Sequence, residues 1–264
     1  MTNNHQYNSF VNFALIITVG LGLAFALPWL ANAQGLATHS EVGEQSNTPE
    51  AITTTYYVAI TGTGLAPTVD WSGAFTNVQD ALAVAVSPAE IWVAEGVYYP
   101  DVGSGQINDS VTATFLMTDG VSIFGGFNFG DTDITDRDWV NNLTVLSGDI
   151  DGDDTTDTHG VVLTATDIVD YNAYHVVTAI GVSSTAKLDG FTITAGQAGS
   201  TSYPNNIGGG FYCDGVGGGK KCGPSLTNVV FSGNSADEVG GAMFNNGRDN
   251  GDSSPSLSHV TFSV

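Results

Sequence analysis

The side chains best suited to chemistry in this chain of 264 residues gather in one stretch, Gly148-Asp-Ile-Asp-Gly-Asp-Asp154, followed by Asp157 and His159. Asp149, Asp151 and Asp153 alternate there. Three carboxylates in one loop are the hard oxygen donors that Ca²⁺ takes. The loop departs from an EF-hand, because its glycine is fourth rather than sixth and its twelfth position is Gly160 rather than Glu. A solvated acidic loop is the plain alternative, and weak Ca²⁺ binding at Asp149, Asp151 and Asp153 stands beside it as an expectation. Asp153-Asp154 and Asp157-Thr-His159 also offer acid and base groups. Glycoside hydrolysis needs two carboxylates roughly 5–9.5 Å apart, and these sit in one loop rather than on successive strands. Arg137 and Arg248 are the only arginines, which leaves a lyase short of a base. Arg137 stands among Asp131, Asp133, Asp136 and Asp138, where an exposed ion pair worth roughly 0–1 kcal/mol is expected. No catalytic residue is assigned.

The elements that must hold these loops show in a repeat. Leu188-Asp-Gly-Phe-Thr-Ile-Thr194, Leu226-Thr-Asn-Val-Val-Phe-Ser232 and Leu257-Ser-His-Val-Thr-Phe-Ser263 align without gaps, 38 and 31 positions apart (226 − 188 and 257 − 226). A period of this size marks a solenoid, in which one rung cannot bury its apolar face alone. The paired positions Phe191 and Ile193, Val229 and Phe231, Val260 and Phe262 are two apart, so each pair points to one face of a strand. Before them stand Gly190, Asn228 and His259, residue types that tolerate positive φ, which predicts a bend. A glycine pair recurs at Gly209-Gly210-Phe211-Tyr212 and Gly240-Gly241-Ala242-Met243, an offset of 31 (240 − 209). Strands, bends and glycine corners in a unit of this length describe a parallel β-helix.

Phe231-Ser-Gly-Asn234 followed by Gly240-Gly241-Ala242-Met243 resembles the FxxN and GGA-(I/L/V/M) tetrads of the polymorphic outer membrane protein repeat. More broadly the chain is similar to right-handed parallel β-helix proteins of the pectin-lyase-like class. An earlier rung departs from the tetrads, with Ile193-Thr-Ala-Gly196 in place of FxxN. The resemblance implies a secreted or surface-exposed β-solenoid and no catalytic residues, since such repeats are architectural.

Acids outnumber Lys plus Arg by 27 to 5, a net charge of −22. Nucleic acid and anionic membrane surfaces are therefore excluded as partners, because a binder needs a basic stripe. Residues 1–33 lack Asp, Glu, Lys and Arg, run apolar from Val11 to Leu30 and end on Ala31-Asn-Ala33, the pattern of a secretory signal peptide. A flexible leader is expected over 34–53. An N-terminal cap is expected over 54–100, with a strand at Thr54–Ile60 and a helix over 71–85 that Ser72 caps and whose apolar face is Phe75, Val78, Leu82 and Ala85. The strand Ile91-Trp-Val-Ala94 and Gly96-Val-Tyr-Tyr-Pro100 complete this cap, and the order resembles the N-terminal cap of many secreted bacterial β-helix proteins. Trp92 and Tyr98 are read as core or rim, with sugar stacking as the alternative. Coils are expected over 101–264, with further coils beyond Val264. Cys213 and Cys222 bracket a glycine-rich loop, and in a secreted chain that spacing suits one disulfide.

The expected fold class is all-β, a right-handed parallel β-helix with a short N-terminal capping helix. The expected function is a secreted or cell-surface protein with a structural or adhesive role, presenting loops to surface glycans or other cell-surface proteins. The alternative is a polysaccharide lyase or glycoside hydrolase of the same class whose site extends outside this chain.

Overall fold

The computed structural model describes residues 53–64 and 70–263. The expected signal peptide at 1–33 and nearly all of the leader, residues 34–52, lie outside the described residues. What is described is an all-β parallel solenoid of about six turns. Its elements are β1 (Thr54–Val58), α1 (Val78–Val84), β2 (Ala89–Ala94), β3 (Gly96–Tyr98), β4 (Phe115–Met117), β5 (Val121–Phe127), β6 (Thr144–Ser147), β7 (Val177–Ile180), β8 (Lys187–Thr194) and β9 (Gln197–Ala198). They continue with β10 (Phe211–Asp214), β11 (Lys221–Cys222), β12 (Ser225–Ser232), β13 (Ser235–Ala236), β14 (Met243–Asn246), β15 (Asp252–Ser253), β16 (Ser256–Ser258) and β17 (Thr261–Phe262).

One sheet runs β1-β2-β5-β8-β12-β16, with β3, β6 and β17 continuing the same rungs, and a second runs β4-β7-β10-β14. Each strand pairs parallel with its counterpart one turn away, so like positions stack. Tyr56, Ile91, Ile123, Leu188, Leu226 and Leu257 form one continuous column. Tyr98, Leu146, Ile193, Phe231 and Phe262 form another. From the second sheet Phe115, Val177, Phe211 and Met243 face them. Leu188, Phe191, Ile193, Leu226, Val229 and Phe231 are all buried. At the last rung Val260 is half-buried, and Leu257 and Phe262 are 44% and 49% exposed.

The aligned sequence repeat is the spatial register: Leu188 pairs with Leu226 and Leu226 with Leu257. The bend falls where expected, with φ of +83° at Gly190, +51° at Asn228 and +52° at His259. The tetrad asparagine has a clear task. Asn234 accepts from the Gly196 amide at 3.0 Å and donates to the Ile193 carbonyl at 2.9 Å, joining two rungs where the strand ladder stops.

Two expectations change. The glycine corners pair one residue earlier than the sequence alignment suggests. Phe211 lies beside Met243, so Gly208, with φ of +71°, matches Gly240, with φ of +72°. The period of two explains it: the alternative would put Tyr212 in the core and turn Phe211 outward. The helix is also shorter and capped elsewhere. Asn77, not Ser72, accepts from the Asp80 amide at 2.8 Å. Phe75 is instead extended, its amide donating to the Tyr57 carbonyl and its carbonyl accepting from Ala59, and Trp71–Gly73 forms a separate 3₁₀ turn. Helix α1 packs against β1, β2 and β4, with Val78 and Ala81 buried over the first turns. Trp92 and Tyr98 are buried, in line with the core reading rather than the sugar-stacking alternative, and Trp92 stacks on Phe127 with ring centroids 4.6 Å apart. Neither is available to a sugar.

Candidate functional site

The acidic loop follows β6. Its backbone is held from within, since Asp149 Oδ1 accepts from the Gly152 amide at 2.9 Å and the Asp153 amide at 3.1 Å. Asp149, Asp151 and Asp153 are brought together, each offering a ligand atom within 4.8 Å of the others. Burial raises the Asp149 carboxyl above its ordinary range. Desolvation and the nearby Asp151 and Asp170 charges raise Asp153. Asp154 faces inward, accepting from the Val169 amide and from Asn172 Nδ2, both at 2.7 Å, and burial pushes it up to about 6. The donors are of the type Ca²⁺ takes, but three carboxylates supply only part of its six to eight oxygens. Acidic groups crowd together readily on a chain of this charge, and Asp151 and Asp153 stay exposed to solvent.

The acid and base candidates have other work. Asp157 Oδ1 accepts from the His159 amide at 2.8 Å and the Val161 amide at 3.0 Å, closing its own turn, while His159 Nδ1 stands 3.9 Å from Asp157 Oδ2. Asp154 ties the loop to Asn172. His175 stacks on Tyr212 at 4.9 Å and its Nδ1 meets the Gly208 carbonyl at 2.9 Å; burial lowers its pKa. His259 occupies the last described bend, with its side chain exposed. Cys213 and Cys222 are joined in a disulfide with Cα atoms 5.8 Å apart, pinning the glycine-rich loop at its buried base.

A second region was not anticipated from sequence. The loop between β5 and β6 folds back over the bends at Gly190 and Asn228. Arg137 is its anchor, and the expected exposed pair with a neighbouring aspartate is not what forms. The Arg137 side chain is 6% exposed and its Nη2 lies 3.1 Å from Oδ1 of Asp189, on β8. Asn228 Nδ2 donates to the same oxygen at 2.9 Å. The guanidinium lies 5.0 Å from the Phe124 ring, 5.8 Å from Phe127 and 5.3 Å from Trp139. Arg137 Nε and Nη1 are buried without a hydrogen-bond partner, so aromatic faces take the place of acceptors. Trp139 remains 39% exposed and walls a groove of about 310 Å³ over the bends, shared with Val140, Leu143, Asn228, Val230 and His259. The signal available in the sequence was the lone arginine before a tryptophan in an acidic loop.

Comparison with known proteins gave no match to a protein family, to a curated protein or to a solved structure. Among the described residues no helix is long and apolar enough to cross a membrane, which says nothing of β-barrel spans.

Proposed function

We propose that this chain is a secreted or cell-surface β-solenoid with a structural or adhesive role, holding loops out for contact with glycans or surface proteins. One observation carries the reading. The inner columns are continuous from β1 to β12 and filled with apolar side chains, while Asp149 and Asp157 close their own turns and Asp154 is tied to Val169 and Asn172. Such a body is a rigid spacer, and its loops are what a partner meets. The tetrads at Phe231–Asn234 and Gly240–Met243 support kinship with the polymorphic outer membrane protein repeat and, more broadly, the pectin-lyase-like class. The apolar stretch and Ala31-Asn-Ala33 motif support export.

The test has two parts. Cells expressing the chain are treated with protease without lysis; loss of the protein, or its recovery from the medium, supports export. Beads coated with the purified chain are then presented to cells and to immobilised glycans. Retention without bond cleavage supports adhesion. Release of reducing or unsaturated sugar ends from a polysaccharide panel would replace this reading with an enzymatic one.

A further inference from the structure

We propose that the groove over the bend ladder is a subsite for one neutral sugar ring of a glycan. The inference deepens the adhesive reading and rests on it. The wall of the groove is an indole fixed in advance. Arg137 packs on Trp139 and is itself held by Asp189. Below it, two glycines leave the space that Trp139 needs: a Cβ on Gly126 would stand 2.8 Å from Trp139 Cα, and one on Gly190 would stand 3.2 Å from Trp139 Cβ. A partly exposed tryptophan fixed on a scaffold loses little freedom when a ligand stacks on it.

The chemistry of the lining selects a ring with an apolar face and a polar rim. Trp139, Val140, Leu143 and Val230 supply apolar contact, and Asn228 and His259 stand where hydroxyl groups can be hydrogen-bonded. A volume of about 310 Å³ is at the small end of ligand sites, suited to one ring of a longer chain. Charge narrows the class. The body carries −22, and the nearest guanidinium, Arg137, is buried and paired with Asp189. Among the described residues lining the groove there is no Lys or Arg, so a uronate or sulfated sugar would be repelled. Of the strands around the groove, β8 and β12 already have parallel neighbours on both sides, which leaves an added peptide strand only the β16 and β17 edge.

The test is calorimetric titration of the full chain with neutral hexasaccharides (cello-, xylo-, malto- and manno-series) and with oligogalacturonate. Neutral binding that falls at least tenfold in Trp139→Ala, recovers in part in Trp139→Phe and weakens in His259→Gly supports the subsite. Glycine suits the left-handed bend at 259, so this last variant keeps the test valid should Trp139→Ala fail to fold. Neutral binding unchanged in both Trp139→Ala and His259→Gly overturns the groove while leaving glycan adhesion in place. Binding confined to oligogalacturonate overturns it on charge. Retention on cells that survives glycosidase treatment, with no sugar binding, overturns it and narrows the function to protein contact. Failure to bind sugars or cells at all removes the adhesive reading together with the groove.

Discussion

Replacing Gly190 by Ala tests the bend ladder directly. Gly190 has φ of +83°, and a Cβ built there would lie 2.9 Å from the Gly125 carbonyl oxygen and 3.2 Å from Trp139 Cβ. The first neighbour is backbone of the adjacent turn and cannot swing away. Two penalties add: about 1–2 kcal/mol for an L-residue in the left-handed region and about 1–3 kcal/mol for overpacking. Their sum, about 2–5 kcal/mol, lowers the melting temperature by roughly 4–20 °C for a domain of this size. Asn228 occupies the same position one turn on, already with a side chain at φ of +51°. Asn228→Gly relieves about 1–2 kcal/mol of left-handed strain but loses the hydrogen bond to the charged Asp189 carboxylate, worth roughly 1.5–3 kcal/mol, so a net shift smaller than that of Gly190→Ala is expected. The assay is thermal unfolding followed by far-ultraviolet circular dichroism, with the near-ultraviolet signal reporting aromatic packing. Melting of Gly190→Ala within about 1 °C of the native chain, below the low end of the expected shift, would refute the argument. So would a larger loss in Asn228→Gly than in Gly190→Ala.

Three further outcomes are expected. Cys213→Ala with Cys222→Ala opens a loop of sequence separation 9; chain entropy puts the loss at about 3 kcal/mol, read as a lower denaturant midpoint, and an unchanged midpoint would contradict the bond's role. Stability should rise as pH falls from 7.5 to about 5: the raised folded pKa values of Asp154, about 6, and of Asp149 make their charged forms a cost that protonation removes. His175, lowered by burial, acts in the opposite sense below its ordinary value, while relief of the −22 charge acts in the same sense as the two carboxyls. Asp119, Asp133 and Asp138, lowered by hydrogen bonds from nearby amides and side chains, then lose their contribution as pH falls below about 4; a melting temperature lower at pH 5 than at pH 7.5 counts against this balance. Millimolar Ca²⁺ should raise the melting temperature through Asp149, Asp151 and Asp153, and Asp151→Asn with Asp153→Asn should abolish the rise; an unchanged curve with no heat of binding removes the ion.

The rungs were legible because a solenoid turns sequence period into contact. Leu188, Leu226 and Leu257 recur in sequence and stack in space for the same reason, that each strand pairs with its own repeat. The bend was legible from Gly190, Asn228 and His259, whose backbone preference is local. The N-terminal turns were less so. Ile91, Ile123 and Leu188 share a column but are spaced 32 and 65 positions apart (123 − 91 and 188 − 123), because the acidic loop and the Trp139 loop lie between the last two. The glycine corners slipped by one residue, since two adjacent glycines match a third equally well until a strand's inward face is known.

What the sequence determined by itself is the fold class, the rung register in the repeat and the left-handed bends, all set by backbone preference and the alternation of apolar residues. Which side chains are left free was set by how the turns pack. That packing buried Trp92 and left Trp139 exposed, and it paired Arg137 with Asp189, 52 positions on (189 − 137), rather than with the aspartates beside it. Burial and ion pairing depend on where a loop lands, and this loop lands on the Gly190 bend of a neighbouring turn, where a residue without a Cβ leaves room for Trp139.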